Sequence, residues 1–162
     1  TMTTDFGSLL QELTKAYPTG FAIALHIRFT SPRFLLQTYD QRWIETYSRD
    51  GMVMHDPTVR WGLRQTGTIR WEDLPDTDEA GQSVLNAARD HGLSFGFTVA
   101  WCDHDSRSVA SFVRPDRPAT DAEMRLASDQ VMRLHALTID SQALGPADRA
   151  AVERLSIRLT LP

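Results

Sequence analysis

The stretch Phe95-Gly96-Phe97-Thr98-Val99-Ala100-Trp101, followed by Asp103-His104-Asp105-Ser106 and then by Ser108 to Arg114, decides the fold. Two short runs rich in aromatic and β-branched residues, set around a polar turn, predict two neighbouring strands. Working downstream, Thr120-x-x-Glu123 is a capping box that opens a long helix to about Thr138, with Met124, Ala127, Val131 and Leu134 as its inward stripe. Upstream, Thr77 to His91 carries Val84, Leu85 and Ala88 on one face and is closed by Gly92, a residue that favours a left-handed cap. Asp40 to Arg49 and Pro57 to Gln65 read as two further helices, the second entered through Asp56 as a cap with Pro57 at its first position. Phe21 to Arg28 and Phe34 to Tyr39 are short apolar and aromatic runs, and Thr30-Ser31-Pro32 between them makes a hairpin the simplest connection. Phe6, Leu9, Leu10 and Leu13 recur at helical spacing until Tyr17-Pro18-Thr19-Gly20 turns the chain. The expected fold is α+β: an α/β/α sandwich with a central, mostly antiparallel five-stranded sheet flanked by helices.

Composition narrows the class. With 162 residues, 41% of them hydrophobic, the chain can build one compact core and is too short for two ordinary domains. Its longest apolar stretches, such as Phe21 to Leu25, fall far short of the roughly 20 residues a membrane span requires. Thr1 to Ser8 lacks the basic and apolar regions of a secretion signal. The single cysteine, Cys102, cannot form an internal disulfide. A cytoplasmic protein without membrane contact is the expectation. The net charge of -4 gives no electrostatic reason for this chain to hold DNA by itself, because phosphate affinity rests on clustered Lys and Arg.

The functional signal is the spaced run Tyr39-x3-Trp43-x12-Asp56-Pro57-Thr58-x12-Trp71. It gathers aromatic rings, a carboxylate and a hydroxyl in about thirty residues, the inventory of an apolar pocket with a few fixed polar groups. Taken singly, each residue has a plainer use, Trp43 and Trp71 as core aromatics and Asp56 as a helix cap; the joint spacing favours ligand contact. Catalysis is the weaker reading. Cys102, Asp103, His104 and Asp105 crowd one turn without a second cysteine or regular His spacing for a metal, and His55, Asp56 and Ser111 lack a nucleophile elbow. No metal, no cofactor and no enzyme activity are expected. The five histidines read as surface or capping residues, and Arg60, Arg64 and Arg70 as a solvated face.

The Tyr-x3-Trp spacing, the Asp-Pro thirteen residues after that Trp and the Trp fifteen after that Asp resemble the autoinducer-binding domain of LuxR-type quorum-sensing regulators. Ala87 to Gly96 resembles the family's helix end and Gly-Leu-x-x-Gly turn, and Ala110 to Asp116 its last strand and exit, so the likeness spans roughly Phe6 to Leu137. It implies that the ligand is a buried N-acyl-homoserine lactone. By the same implication Trp43 donates to the lactone carbonyl, Asp56 accepts the amide N–H, and Tyr39 and Ser111 contact the amide or acyl carbonyl side. Trp71 packs on the lactone end, Tyr47 lines the pocket and Thr58 stands near the amide or a 3-substituent. The chemistry of an acyl amide agrees: it needs an acceptor such as Asp56 and donors such as Tyr39 and Trp43, since each buried unpaired group costs about 1–3 kcal/mol. Ala22, Ala24 and Leu25, with Phe97 and Val99, are the candidates for the acyl-chain wall, strand parity deciding which of them face it. The chain departs from the family pattern at Asp40 and Ala100, where prolines are usual, and Trp61 and Trp101 are bulky residues that would shorten or close the pocket.

Residues 1–140 thus read as the sensor domain, and 141–162 as a linker and the start of a truncated or lost helix-turn-helix domain, since Leu144 to Leu155 is similar to that domain's opening. Three functions follow from different classes. The leading one is the ligand-sensing, dimerising module of a quorum-sensing transcriptional regulator. The second is a solitary protein that forms heterodimers with a full-length LuxR-type regulator and inhibits it, or an orphan sensor of another small molecule. The third is a lactone hydrolase.

Overall fold

The computed structural model describes residues 5–29, 31–140 and 144–160, with side chains through Arg154. Thr30, the centre of the predicted hairpin turn, lies outside the described residues. Helix α1 (Phe6–Ala16) starts where Asp5 accepts the Ser8 backbone N–H at 2.7 Å and buries Phe6, Leu9, Leu10 and Leu13. Strand β1 (Phe21–Arg28) pairs with β2 (Ser31–Gln37), which takes in the Ser31-Pro32 expected in the turn and ends before Tyr39. Helix α2 (Gln41–Arg49) is capped by Asp40, so the aspartate in place of the usual proline starts a helix. A 3₁₀ turn over Met52–Met54 leads into α3 (Pro57–Arg64), capped by Asp56. Strand β3 (Gly67–Arg70) follows, and a 3₁₀ turn over Trp71–Asp73 precedes α4 (Glu79–Asp90). Strands β4 (Phe95–Asp103) and β5 (Ser106–Arg114) then form the hairpin read from the sequence, with Ala100 lying inside an unbroken strand. Helix α5 (Asp121–Leu137) is entered by the predicted capping box, Thr120 accepting from Glu123 N and Glu123 from Thr120 N. Helix α6 (Pro146–Thr160) completes the described chain.

The sheet order is β2-β1-β5-β4-β3, antiparallel throughout. The two faces differ in side-chain size, and that difference positions the site. One face presents Phe21, Ile23, Leu25, Phe97, Val99 and Phe112, packed beneath α1 and α5 with Leu144, Ala151 and Val152 of the C-terminal segment. Phe97 and Phe112 stack at 5.4 Å, and Tyr17 closes on both. Each such ring contributes about 1.5–3 kcal/mol through burial. The other face, by strand alternation, presents Ala22 and Ala24, Gly96, Thr98 and Ala100, and Val109, Ser111 and Val113.

Thr120→Ala should cost about 1 kcal/mol, the usual weight of an N-cap. A lowered urea midpoint with unchanged slope would show it.

Candidate functional site

Parity divides the acyl-wall candidates between the two faces. Leu25, Phe97 and Val99 belong to the aromatic-rich core on the opposite face, while Ala22 packs with the second apolar cluster and Ala24 shares its side of β1. Trp101 alternates with Phe97 and Val99 and pairs with Ser108, whose hydroxyl meets α5, so it stands away from the site face. Trp61 is half-buried on α3, three residues after Thr58.

The second cluster collects Tyr39, Trp43, Ile44, Ala88, Leu93 and Val113, with Ala22, Tyr47, Met52, Trp71 and Ala87 against it. Glycines set its close approaches. A Cβ at Gly96 would fall 2.2 Å from Trp71 Cδ2, so only glycine seats the indole on β4. At Gly20, φ is +128° and a Cβ would meet Tyr39 Cδ1 at 2.5 Å. The Gly-Leu-x-x-Gly pattern therefore has two separate causes: Gly92, at φ +81°, ends α4, and Gly96 lies beneath Trp71.

The predicted residues fall into two hydrogen-bonded groups. In the first, Tyr47 donates to Asp56 Oδ2 at 2.8 Å, while Asp56 Oδ1 accepts from Thr58 N at 2.9 Å and from Thr58 Oγ1 at 2.7 Å. Both carboxylate oxygens are aimed by the protein: Oδ1 is filled by the two Thr58 donors, and Oδ2 keeps one free lone pair beside the Tyr47 hydroxyl. Burial, and then the Asp56 charge, raises the Tyr39 and Tyr47 hydroxyls far above the ordinary phenol range and keeps both as neutral donors. The Trp43 ring lies 5.6 Å from that of Tyr47 and 5.2 Å from His91, and among the described residues no acceptor takes its indole N–H. In the second group Trp71 Nε1 donates to Thr98 Oγ1 at 3.0 Å, Thr98 Oγ1 and Ser111 Oγ lie 2.7 Å apart, and Tyr39 donates to the Ser111 carbonyl at 3.4 Å. The sequence reading missed Thr98. The signal was its two-residue offset from Gly96 on one strand, usable only with the pairing to Ser111.

Two expectations change. Arg70 is not on a solvated face, since it donates twice to the Ala119 carbonyl and to Asp121 at 2.7 Å, tying β3 to the start of α5. His26 and His135 are not surface residues: at 5% and 1% exposure their rings lie 4.3 Å apart under the aromatic-rich face. Alternation over β1 does not foretell this, because a bulge between Ala24 and Ile27 places His26 at φ +57°. The triad candidates are separated, as Asp56 is held by Tyr47 and Thr58, and the Ser111 hydroxyl meets Thr98 and no histidine among the described residues. Cys102-Asp103-His104-Asp105 forms an exposed hairpin tip with His104 and Asp105 at positive φ. An open groove of about 1080 Å³ between α1 and α6 shares no residue with the site.

The molecule is a sandwich on a five-stranded antiparallel sheet with one aromatic-rich face and one small-residue face, against which Trp43, Tyr47 and Trp71 pack. Residues 8–143 match the model of the autoinducer binding domain, and the chain belongs to that family, a family of ligand-binding modules of LuxR-type regulators and not of enzymes. The transcriptional activator SolR of Ralstonia nicotianae is 33% identical over 95 residues, covering 58% of this chain and 39% of SolR. The quorum-sensing regulator RhlR of Pseudomonas aeruginosa is 27% identical over 109 residues, covering 60% of this chain and 44% of RhlR. The chain thus spans less than half the length of these relatives. Among solved structures, SdiA in complex with octanoyl-rac-glycerol superimposes with a TM-score of 0.60 at 21% identity, covering 90% of this chain and 64% of that one. CepR2 of Burkholderia cenocepacia, an N-acylhomoserine lactone dependent LuxR family factor, gives 0.57 at 16% identity, covering 83% and 92%. At these identities the likeness shows the fold. Among the described residues no helix is long and apolar enough to cross a membrane.

Proposed function

We propose that this chain is the signal-sensing module of a cytoplasmic, dimeric quorum-sensing transcriptional regulator, and that it binds an N-acyl-homoserine lactone between the small-residue face and the roof of α2, α3 and the Trp71 turn. One observation carries the reading: the Trp43 indole N–H, a donor without a partner among the described residues, and Asp56, an acceptor held by two neighbours, both adjoin Tyr47. A lactone carbonyl and an amide N–H are their complements. Ala22, Ala24 and Ala100 put small side chains on the face along which the acyl chain would run, and that chain needs no polar partner. DNA reading belongs to segments other than this one.

The octanoyl-rac-glycerol held by SdiA favours a second reading, an acylated ligand with a glycerol in place of the lactone. Thermal melts with N-acyl-homoserine lactones of graded chain length, alongside octanoylglycerol, decide between them. A ligand that binds only the folded state raises Tm with its concentration. The lactone reading expects a rise that peaks at one acyl length. A rise with octanoylglycerol alone selects the second reading, and no rise with either refutes both.

A further inference from the structure

Thr98 has no exposed surface, and its hydroxyl has two polar neighbours, Trp71 Nε1 at 3.0 Å and Ser111 Oγ at 2.7 Å. An indole N–H only donates, so Thr98 Oγ1 is an acceptor toward Trp71. A hydroxyl carries one proton. If Ser111 donated to Thr98 as well, the Thr98 proton would have no acceptor among the described residues, and a fully buried O–H would stay unpaired. The arrangement that leaves the fully buried Thr98 hydroxyl paired runs one way, from Trp71 N–H to Thr98 Oγ1 and from Thr98 O–H to Ser111 Oγ. The Ser111 proton is then left over.

Ser111 is half-buried on the site face, between Thr98 on β4 and Ala22 on β1, and its backbone carbonyl is taken by Tyr39. We propose that Thr98 is a positioning residue that commits the Ser111 hydroxyl as a hydrogen-bond donor to a carbonyl of the ligand, so that this point of the site selects an acceptor. The proposal rests on the reading that an acylated ligand occupies this face. It also divides the labour of Trp71: the ring packs over Gly96, and its N–H is spent inside the protein. In such a chain each bond polarises the next, which strengthens the terminal donor.

The test uses N-octanoyl-homoserine lactone and its N-octyl analogue, in which the acyl carbonyl is reduced to a methylene. Thr98→Val keeps the shape and removes the hydroxyl; Thr98→Ser keeps the hydroxyl. Thr98→Val is expected to weaken the octanoyl compound about tenfold, the weight of one buried hydrogen bond, and the N-octyl compound by less than threefold. Thr98→Ser restores the octanoyl affinity, and in a Ser111→Ala background Thr98→Val has no further effect. Equal losses for both compounds, or an undiminished loss without Ser111, would overturn the proposal by making Thr98 a packing residue only. The relay also has a readout without ligand. The indole N–H resonance of Trp71 moves upfield in free Thr98→Val and stays in place in Thr98→Ser. An unmoved resonance overturns the relay even if no lactone binds the parent protein, whereas a moved resonance with no lactone binding leaves the relay standing and refutes the lactone reading.

Discussion

Asp56→Asn is expected to weaken N-octanoyl-homoserine lactone about 100-fold while leaving the free protein folded. Asparagine caps a helix as well as aspartate does, so the start of α3 survives with Thr58 N still served by a side-chain oxygen. The ligand side is different. The carboxylate offers acceptors on both oxygens, one holding the Tyr47 hydroxyl at 2.8 Å and the other Thr58. An amide offers one acceptor and one NH2: with its oxygen kept on Thr58 the NH2 meets the Tyr47 hydroxyl and the ligand N–H, and with its oxygen turned to them the NH2 meets the Thr58 N–H, so a donor meets a donor either way. Hydrogen bonds to a charged group contribute about 1.5–3 kcal/mol, and 2.7 kcal/mol is a factor of about 100. Calorimetric titration of parent and variant measures it. An affinity within threefold of the parent would remove Asp56 from the ligand contacts and leave it as a cap.

Acidification is expected to cost the fold about 2–3 kcal/mol between pH 6.5 and 4.5. His26 bonds Ser106 Oγ at 2.7 Å and Thr138 Oγ1 at 2.9 Å, while His135 bonds Ser108 Oγ at 2.7 Å. Burial, and then repulsion from His135, pushes His26 down to about 4; Arg33 works the same way, and the His135 carbonyl opposes it. Burial also lowers His135, against the pull of Asp103 and with the push of His104. In the unfolded chain both titrate near 6.5, so as pH falls through that value the unfolded state takes up protons the native state refuses. Stability is complete above pH 6.5 and is lost progressively toward 4. Glu123 acts in a lower window, because Arg117 and the Thr120 N–H hold it at about 2, so its stabilisation declines only below about 4.5. Urea denaturation across this range, with histidine resonances followed by NMR, checks the account. A His26 ring titrating between 6 and 7 would contradict it.

Much of the architecture is legible in the residues because its causes are local. The Thr120-x-x-Glu123 box closes within one turn, Asp56-Pro57 opens α3 by itself, and Gly92 ends α4 through its own φ. Strand β3 has no signature of its own in the sequence, since Gly67–Arg70 is four residues long and takes its definition from pairing with β4. The burial of the two histidines and the anchoring of Arg70 are illegible in the sequence for a related cause. Their partners, Ala119, Asp121, Ser106 and Ser108, lie tens of residues away, and spacing within one element carries no trace of them.

The sequence by itself determined the α+β sandwich and carried the motif spacing by which the chain resembles the autoinducer-binding family, because helix caps, turns and a fixed spacing are properties of neighbours along the chain. Only the tertiary structure decided on which side of the sheet the candidate site residues gather. Pairing Thr98 with Ser111 and Ala22 with Ser111 sets the parity of three strands at once. That parity sends Phe97, Val99 and Leu25 into the opposite core and brings Gly96, Thr98 and Ser111 under Trp71, because a strand's side chains alternate and only its partners fix the phase.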